Sequence, residues 1–167
     1  MSNKKIIAVS ACLLGYKVRY DGEHQTNESI QSLSEVFELL PVCPEMEIGL
    51  GVPREKIALH QQGLMTRLLT CGGEPSIDLT EKMQAYAQRF LKMHNLAGMI
   101  LKDKSPSCGV SNCKQWLATG EMDSTGTGVF AATVMQLAPE LPMLQSYLVE
   151  QQNEFHAFIN QAKCYGH

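Results

Sequence analysis

The hydrophobic positions of this chain follow two alternating patterns. One is a short apolar run that closes on small or polar residues. Lys5-Ile6-Ile7-Ala8-Val9-Ser10-Ala11-Cys12 is the first and Leu39-Leu40-Pro41-Val42-Cys43-Pro44-Glu45 the second. Gly98-Met99-Ile100-Leu101 and Leu141-Pro142-Met143-Leu144-Gln145-Ser146 are the third and fourth. Such runs read as strands buried on both faces, the mark of a parallel sheet. The other pattern has the spacing of an amphipathic helix. Ile30, Leu33, Val36, Phe37 and Leu40 place a helix from about Glu28 to Leu40, with Asn27 as its cap. Met83, Tyr86, Ala87, Phe90 and Leu91 place a stronger one from Thr80 to about His94. Two more are expected, from about Val129 to Ala138 and from about Tyr147 to Lys163.

The stretches between are less regular. Met46 to Arg54 is a Gly-rich loop. Ala58-Leu59-His60 and Met65 to Leu69 suggest a small β-ribbon turned at Gly63, and Gly109 to Asp123 reads as polar and irregular. Thr125-Gly126-Thr127-Gly128 precedes a helix but lacks the full phosphate-loop pattern. Strand and helix therefore alternate along the chain. The expected fold is α/β: three-layer and Rossmann-like, a mostly parallel sheet of about four strands with helices on both faces. One domain over residues 1–167 is expected, because 167 residues suffice for a single full core.

Composition adds exclusions. A net charge of -3 and no long basic stripe make a large nucleic acid an unexpected partner. No apolar run approaches the ~20 residues of a membrane span, so no membrane partner is expected. Lys4-Lys5 precede only a short apolar run, which reads as a first strand and not a signal peptide; the expected location is the cytoplasm. Nothing in the sequence sets the oligomeric state.

The cysteines carry the candidate chemistry. In a cytoplasmic chain, cysteines that cluster suggest metal binding or catalysis before disulfides. Cys12, Cys43 and Cys108 each stand at the carboxyl end of a predicted strand. Open α/β sheets bind ligands there, and parallel strands bring such ends to one edge. Cys108 sits in Leu101-Lys102-Asp103-Lys104-Ser105-Pro106-Ser107-Cys108-Gly109, a mixture that packing does not ask for. Three thiolates on one edge suit zinc, copper(I) or an iron–sulfur cluster. No Cys-x-x-Cys pair of a structural zinc site is present. The pattern ranks an iron–sulfur cluster ahead of zinc and a redox dithiol third. Cys71 and Cys164 are assigned to packing or surface, and Cys113, five residues after Cys108, stands between a spare ligand and a resting-state one.

Several segments, taken in order, resemble the signatures of the bacterial thiouracil desulfidases. They are Ser10-Ala11-Cys12-Leu13-Leu14-Gly15, Val18-Arg19-Tyr20-Asp21-Gly22, Pro41-Val42-Cys43-Pro44-Glu45, Pro53-Arg54 and the stretch from Leu101 to Gly109. The resemblance implies a [4Fe-4S] cluster on Cys12, Cys43 and Cys108. Its fourth iron would take the sulfur of a small thiolated pyrimidine such as 2-thiouracil, and C=S would become C=O. Glu45, Ser105 and Ser107 would be the polar catalytic groups, with Glu45 as the base that activates water. Arg19 and Asp21 are expected to read the pyrimidine edge. Lys104, with Lys102, is expected to offset developing negative charge. Two other readings stay open at this point: a non-catalytic iron–sulfur or zinc-binding regulatory module, and a desulfidase of thiolated nucleosides.

Overall fold

Residues 3–22 and 26–166 are described by the structure, a computed structural model. The chain order is β1 (Ile6–Ser10), α1 (Glu28–Gln31), β2 (Glu38–Val42), α2 (Pro44–Glu47), β3 (Ile57–Gln62), β4 (Met65–Thr70) and α3 (Thr80–Met93). It continues with β5 (Leu96–Leu101), β6 (Cys113–Trp116), β7 (Met122–Gly126), α4 (Val129–Leu137), β8 (Met143–Gln145) and α5 (Gln152–Cys164).

The four apolar runs form one parallel sheet with strand order β2-β1-β5-β8. Pro41 lacks a ladder donor, and β2 tolerates it because β2 is an edge strand. Side-chain alternation divides the core into two layers. Ala8, Met99 and Leu101 pack with residues of α3, α4 and the second sheet. Ile7, Val9 and Ile100 pack on the other side with Ile30, Phe158 and Ala162. Gly98 of β5 lies so close under Phe158 that a Cβ would stand 2.9 Å from its ring, which presses α5 onto the sheet. Helices thus cover both faces, as the apolar runs require. Among the described residues, no helix is long and apolar enough to cross a membrane.

A second sheet, ordered β4-β3-β6-β7, packs against the same side as α3 and α4. Its β3–β4 half is the ribbon expected from the sequence. Its β6–β7 half falls in the stretch read as irregular. In β6, Cys113 and Gln115 are buried while Lys114 and Trp116 are exposed. That is the period of a strand, but its buried positions are not aliphatic. Gln115 is accommodated because its amide donates to Asp123 and Thr125 and accepts from Gln61.

Two helices are shorter than the periodicity suggests. Asn27 caps α1 as expected, accepting from the Ile30 N–H at 3.0 Å. However, α1 gives way to a 3-10 turn over Ser32–Glu35, and the chain is in β2 by Glu38. Pairing of residues 38–42 with β1 overrides the helical spacing of Phe37 and Leu40. At the other end, a 3-10 turn over Ser146–Leu148 precedes α5, which starts at Gln152.

Candidate metal centre

Strand β1 lies between β2 and β5, so the chain leaves β1 to one side and later returns on the other. The crossovers diverge there and leave a crevice outside the carboxyl ends of the strands. Cys12 lies in a 3-10 turn, Ala11–Leu14, directly after β1. Gly15 ends that turn in the left-handed region at φ 98°, where a side chain would be strained. Cys43 follows β2 and precedes α2, which Pro44 opens at its first turn. Cys108 lies in the loop after β5. The thiols lie within electrostatic reach: Cys43 acts on Cys12, and both act on Cys108.

The loop that carries Cys108 is tied at many points. The Ser105 hydroxyl accepts from the N–H groups of Ser107 at 3.2 Å and Cys108 at 3.0 Å. The Ser105 carbonyl accepts from the Gly109 N–H at 2.8 Å and from Cys113 Sγ at 3.0 Å. A Cβ at Gly109 would collide with Cys113 Sγ, and one at Gly128 with the Ser107 carbonyl. The first turn of α4 closes the loop: Val129 N–H donates to Pro106 O and Ala131 N–H to Ser107 O, both at 3.0 Å. Cys113 is therefore a brace under this loop. Burial pushes its thiol up to about 11.

Burial likewise raises all three candidate ligands above the ordinary thiol value. Lys102 and Arg19 oppose the rise at Cys12. The Met46 N–H and Arg54 oppose it at Cys43. The Ser10 hydroxyl opposes it at Cys108, the most deeply buried of the three. Three thiolates in such surroundings need a cation to compensate them, and a bound metal deprotonates the thiols that ligate it. Among the described residues, no three His, Cys, Asp or Glu side chains close on a single metal ion. A mononuclear zinc site gathers its ligands about 2.0–2.3 Å from one point. The three thiols stand at the ends of adjacent strands.

The other sequence-derived residues divide. Glu45 acts on both Cys43 and Cys108, so it stands beside the thiols. Its Oε2 lies 3.4 Å from Arg54 Nη2. Arg54 is almost fully buried and donates to Val18 O at 2.7 Å and Gly51 O at 2.9 Å. Its Nε is buried and has no partner among the described residues. Arg19 and Asp21 face each other at 3.8 Å and are partly exposed. Ser107 is fully buried, and its hydroxyl has no partner among the described residues. Lys104 is exposed, in the left-handed region at φ 64°, with its N–H on the Asn112 side chain. Of the two lysines, Lys102 is the one that acts on Cys12. Cys71 and Cys164 are exposed.

Sequence reasoning overlooked Ser10, Asp103 and Ser146. Burial would raise the Asp103 carboxyl, but hydrogen bonds from Ser146 and Lys102 outweigh it and hold the group below its ordinary range. Their signal was position: each lies at or next to the carboxyl end of a strand.

A family model described as 2-thiouracil desulfurase matches residues 7–146. The uncharacterized protein YbbK of Bacillus subtilis (strain 168) is 31% identical over 137 residues, which is 78% of this chain and 90% of that protein. A solved structure, the [4Fe-4S]-dependent thiouracil desulfidase TudS, is similar with a TM-score of 0.69 at 25% identity. That likeness covers 92% of this chain and 99% of the other.

Proposed function

This chain belongs to the 2-thiouracil desulfurase family, and on that premise we propose that it removes sulfur from a small thiolated pyrimidine such as 2-thiouracil. The products are uracil and sulfide. The observation that carries this reading is the gathering of three thiols after β1, β2 and β5, those of Cys12 and Cys108 buried and that of Cys43 half-buried. Cys12, Cys43 and Cys108 hold a [4Fe-4S] cluster, the cofactor on which TudS depends. Three protein ligands leave one iron of four open, and when bound that iron is a thiophilic Lewis acid for the substrate's sulfur.

The chain's own residues supply the rest. Water adds to the ring carbon, and Glu45 takes its proton. The carbon–sulfur bond breaks with its electron pair on sulfur, so no external oxidant or reductant takes part. Arg54 orients Glu45 and ties it to the loop of Arg19 and Asp21. Those two, at the partly exposed rim, read the pyrimidine edge, and Lys104 is the outer cation. Ser105 holds the Cys108 loop by accepting from two backbone N–H groups and keeps its own O–H as a donor for substrate or water. Ser107 keeps a hydroxyl for substrate or water. The chain acts as one domain, in the cytoplasm, where thiols stay reduced.

The test is anaerobic purification, analysis of iron and acid-labile sulfide, and then an assay for sulfide released from 2-thiouracil. Loaded protein that releases sulfide supports the reading. Loaded protein that releases none from thiolated bases would make the domain a non-catalytic iron–sulfur module.

A further inference from the structure

The sequence places two lysines around Asp103, and the structure gives them different surroundings. Lys104 is exposed. Lys102 directly follows β5, and its side chain is only 21% exposed. Its position is fixed from two directions. Its N–H donates to Ser10 Oγ at 2.9 Å, which ties it to the end of β1. The Ser10 hydroxyl also bonds to Cys108. Lys102 Nζ donates to Asp103 Oδ1 at 2.9 Å and to the Asp103 carbonyl at 3.1 Å. Asp103 is held in turn by Ser146, at the end of β8. Ser146 Oγ donates to Asp103 Oδ1 at 2.6 Å and lies 3.0 Å from the Asp103 N–H, which donates to it.

Strand order sets the anchors of this ion pair. β5 lies between β1 and β8. Asp103 is anchored on the β8 side and the Lys102 backbone on the β1 side, and the charge of the ammonium acts on the Cys12 thiol. An ammonium has three donors. Two go to Asp103 among the described residues, which leaves one for an incoming anion.

We propose that Lys102 is the fixed cation that receives the negative charge of the departing sulfur, and that Asp103 and Ser146 hold it in place. The proposal rests on the function given above. In that reaction the broken carbon–sulfur bond leaves its electron pair on sulfur, so a hydrosulfide-like anion forms beside the three thiols. A cation already held there stabilises this charge without reorganising as it develops. Exposed Lys104 has no such restraint on its ammonium.

The experiment titrates sodium sulfide into anaerobically loaded protein and follows the visible absorbance, with iron content measured alongside. Lys102→Met is expected to keep its iron and bind sulfide about tenfold more weakly, the scale of one lost charge-assisted contact. Lys102→Arg should restore most of that affinity. Ser146→Ala keeps the charge but frees Asp103, and should weaken sulfide binding by about threefold, with iron again retained. Unchanged sulfide affinity in iron-loaded Lys102→Met overturns the role of Lys102. Should Lys102→Met fail to load, Ser146→Ala decides: unchanged sulfide affinity there overturns the proposal. Wild-type protein that binds no iron would instead defeat the function on which the proposal rests.

Discussion

The two sheets have equal strand numbers and share one core, yet only one gathers the three candidate ligands at its edge. The difference lies in how their strands are connected. In the parallel sheet each strand ends in an open connection that must cross to the next, so its carboxyl end is free to carry a ligand. Three such ends meet after β1, β2 and β5. In the second sheet β3–β4 and β6–β7 are antiparallel pairs, and their shared ends are used up in tight turns. Its outward face does show Trp116, stacked on His60 at 6.5 Å, but nothing there resembles the thiol edge. Strand direction, more than composition, decides where residues distant in sequence can become one site.

The strongest challenge to this contrast is removal of single thiols. Cys12→Ser, Cys43→Ser and Cys108→Ser should each lose bound iron and all sulfide release, while circular dichroism still reports a folded chain. Full iron in the Cys108→Ser protein would break the division of labour between the sheets. Next in size is Glu45→Gln. It should keep iron and visible absorbance but turn over roughly 100-fold more slowly, the usual range for a lost general base. A fully active variant would remove Glu45 from proton transfer.

The second sheet should answer in stability instead of chemistry. Leu59 is fully buried in β3, so Leu59→Ala should cost about 2–5 kcal/mol in urea unfolding. Iron per folded chain should not change; a drop would couple the second sheet to the thiols. The smallest effect is expected at the exposed thiols. Cys71→Ser and Cys164→Ser should leave iron and activity unaltered and shift stability by less than about 0.5 kcal/mol. Lost iron in either would add a thiol to the centre.

What could be read in advance follows the same contrast. The parallel strands were legible because Ile6-Ile7-Ala8-Val9 and Met99-Ile100-Leu101 are uninterrupted, and both faces of such strands are buried. Their order in the sheet then placed Cys12, Cys43 and Cys108 together. The β6–β7 pair was not legible, since Gln115 fills a core position only by virtue of amide partners from β3 and β7. Phe37 and Leu40 satisfied a helical face as well as a strand, and only pairing with β1 decided between them. The Glu45–Arg54 contact depends on a loop that turns through Gly49 and Gly51 at φ 97° and 73°, which spacing alone does not reveal. The Ser105 hydroxyl accepts from two backbone N–H groups, a use that its place in the motif does not disclose.

The strand order β2-β1-β5-β8 also fixes a sequence of events. The three candidate sulfur ligands come from separate parts of the chain and become neighbours only once β1, β2 and β5 lie side by side. On the proposed reading, the core of Ile7, Val9, Met99, Ile100 and Leu101 is what brings the ligands together. This reverses the order of a zinc finger, whose chain stays unfolded until its ion binds. On that reading the metal would bind last, at an edge the sheet has already drawn together. A cluster lost to oxygen would then leave a folded chain that can be filled again, so damage to the cofactor would not mean loss of the protein.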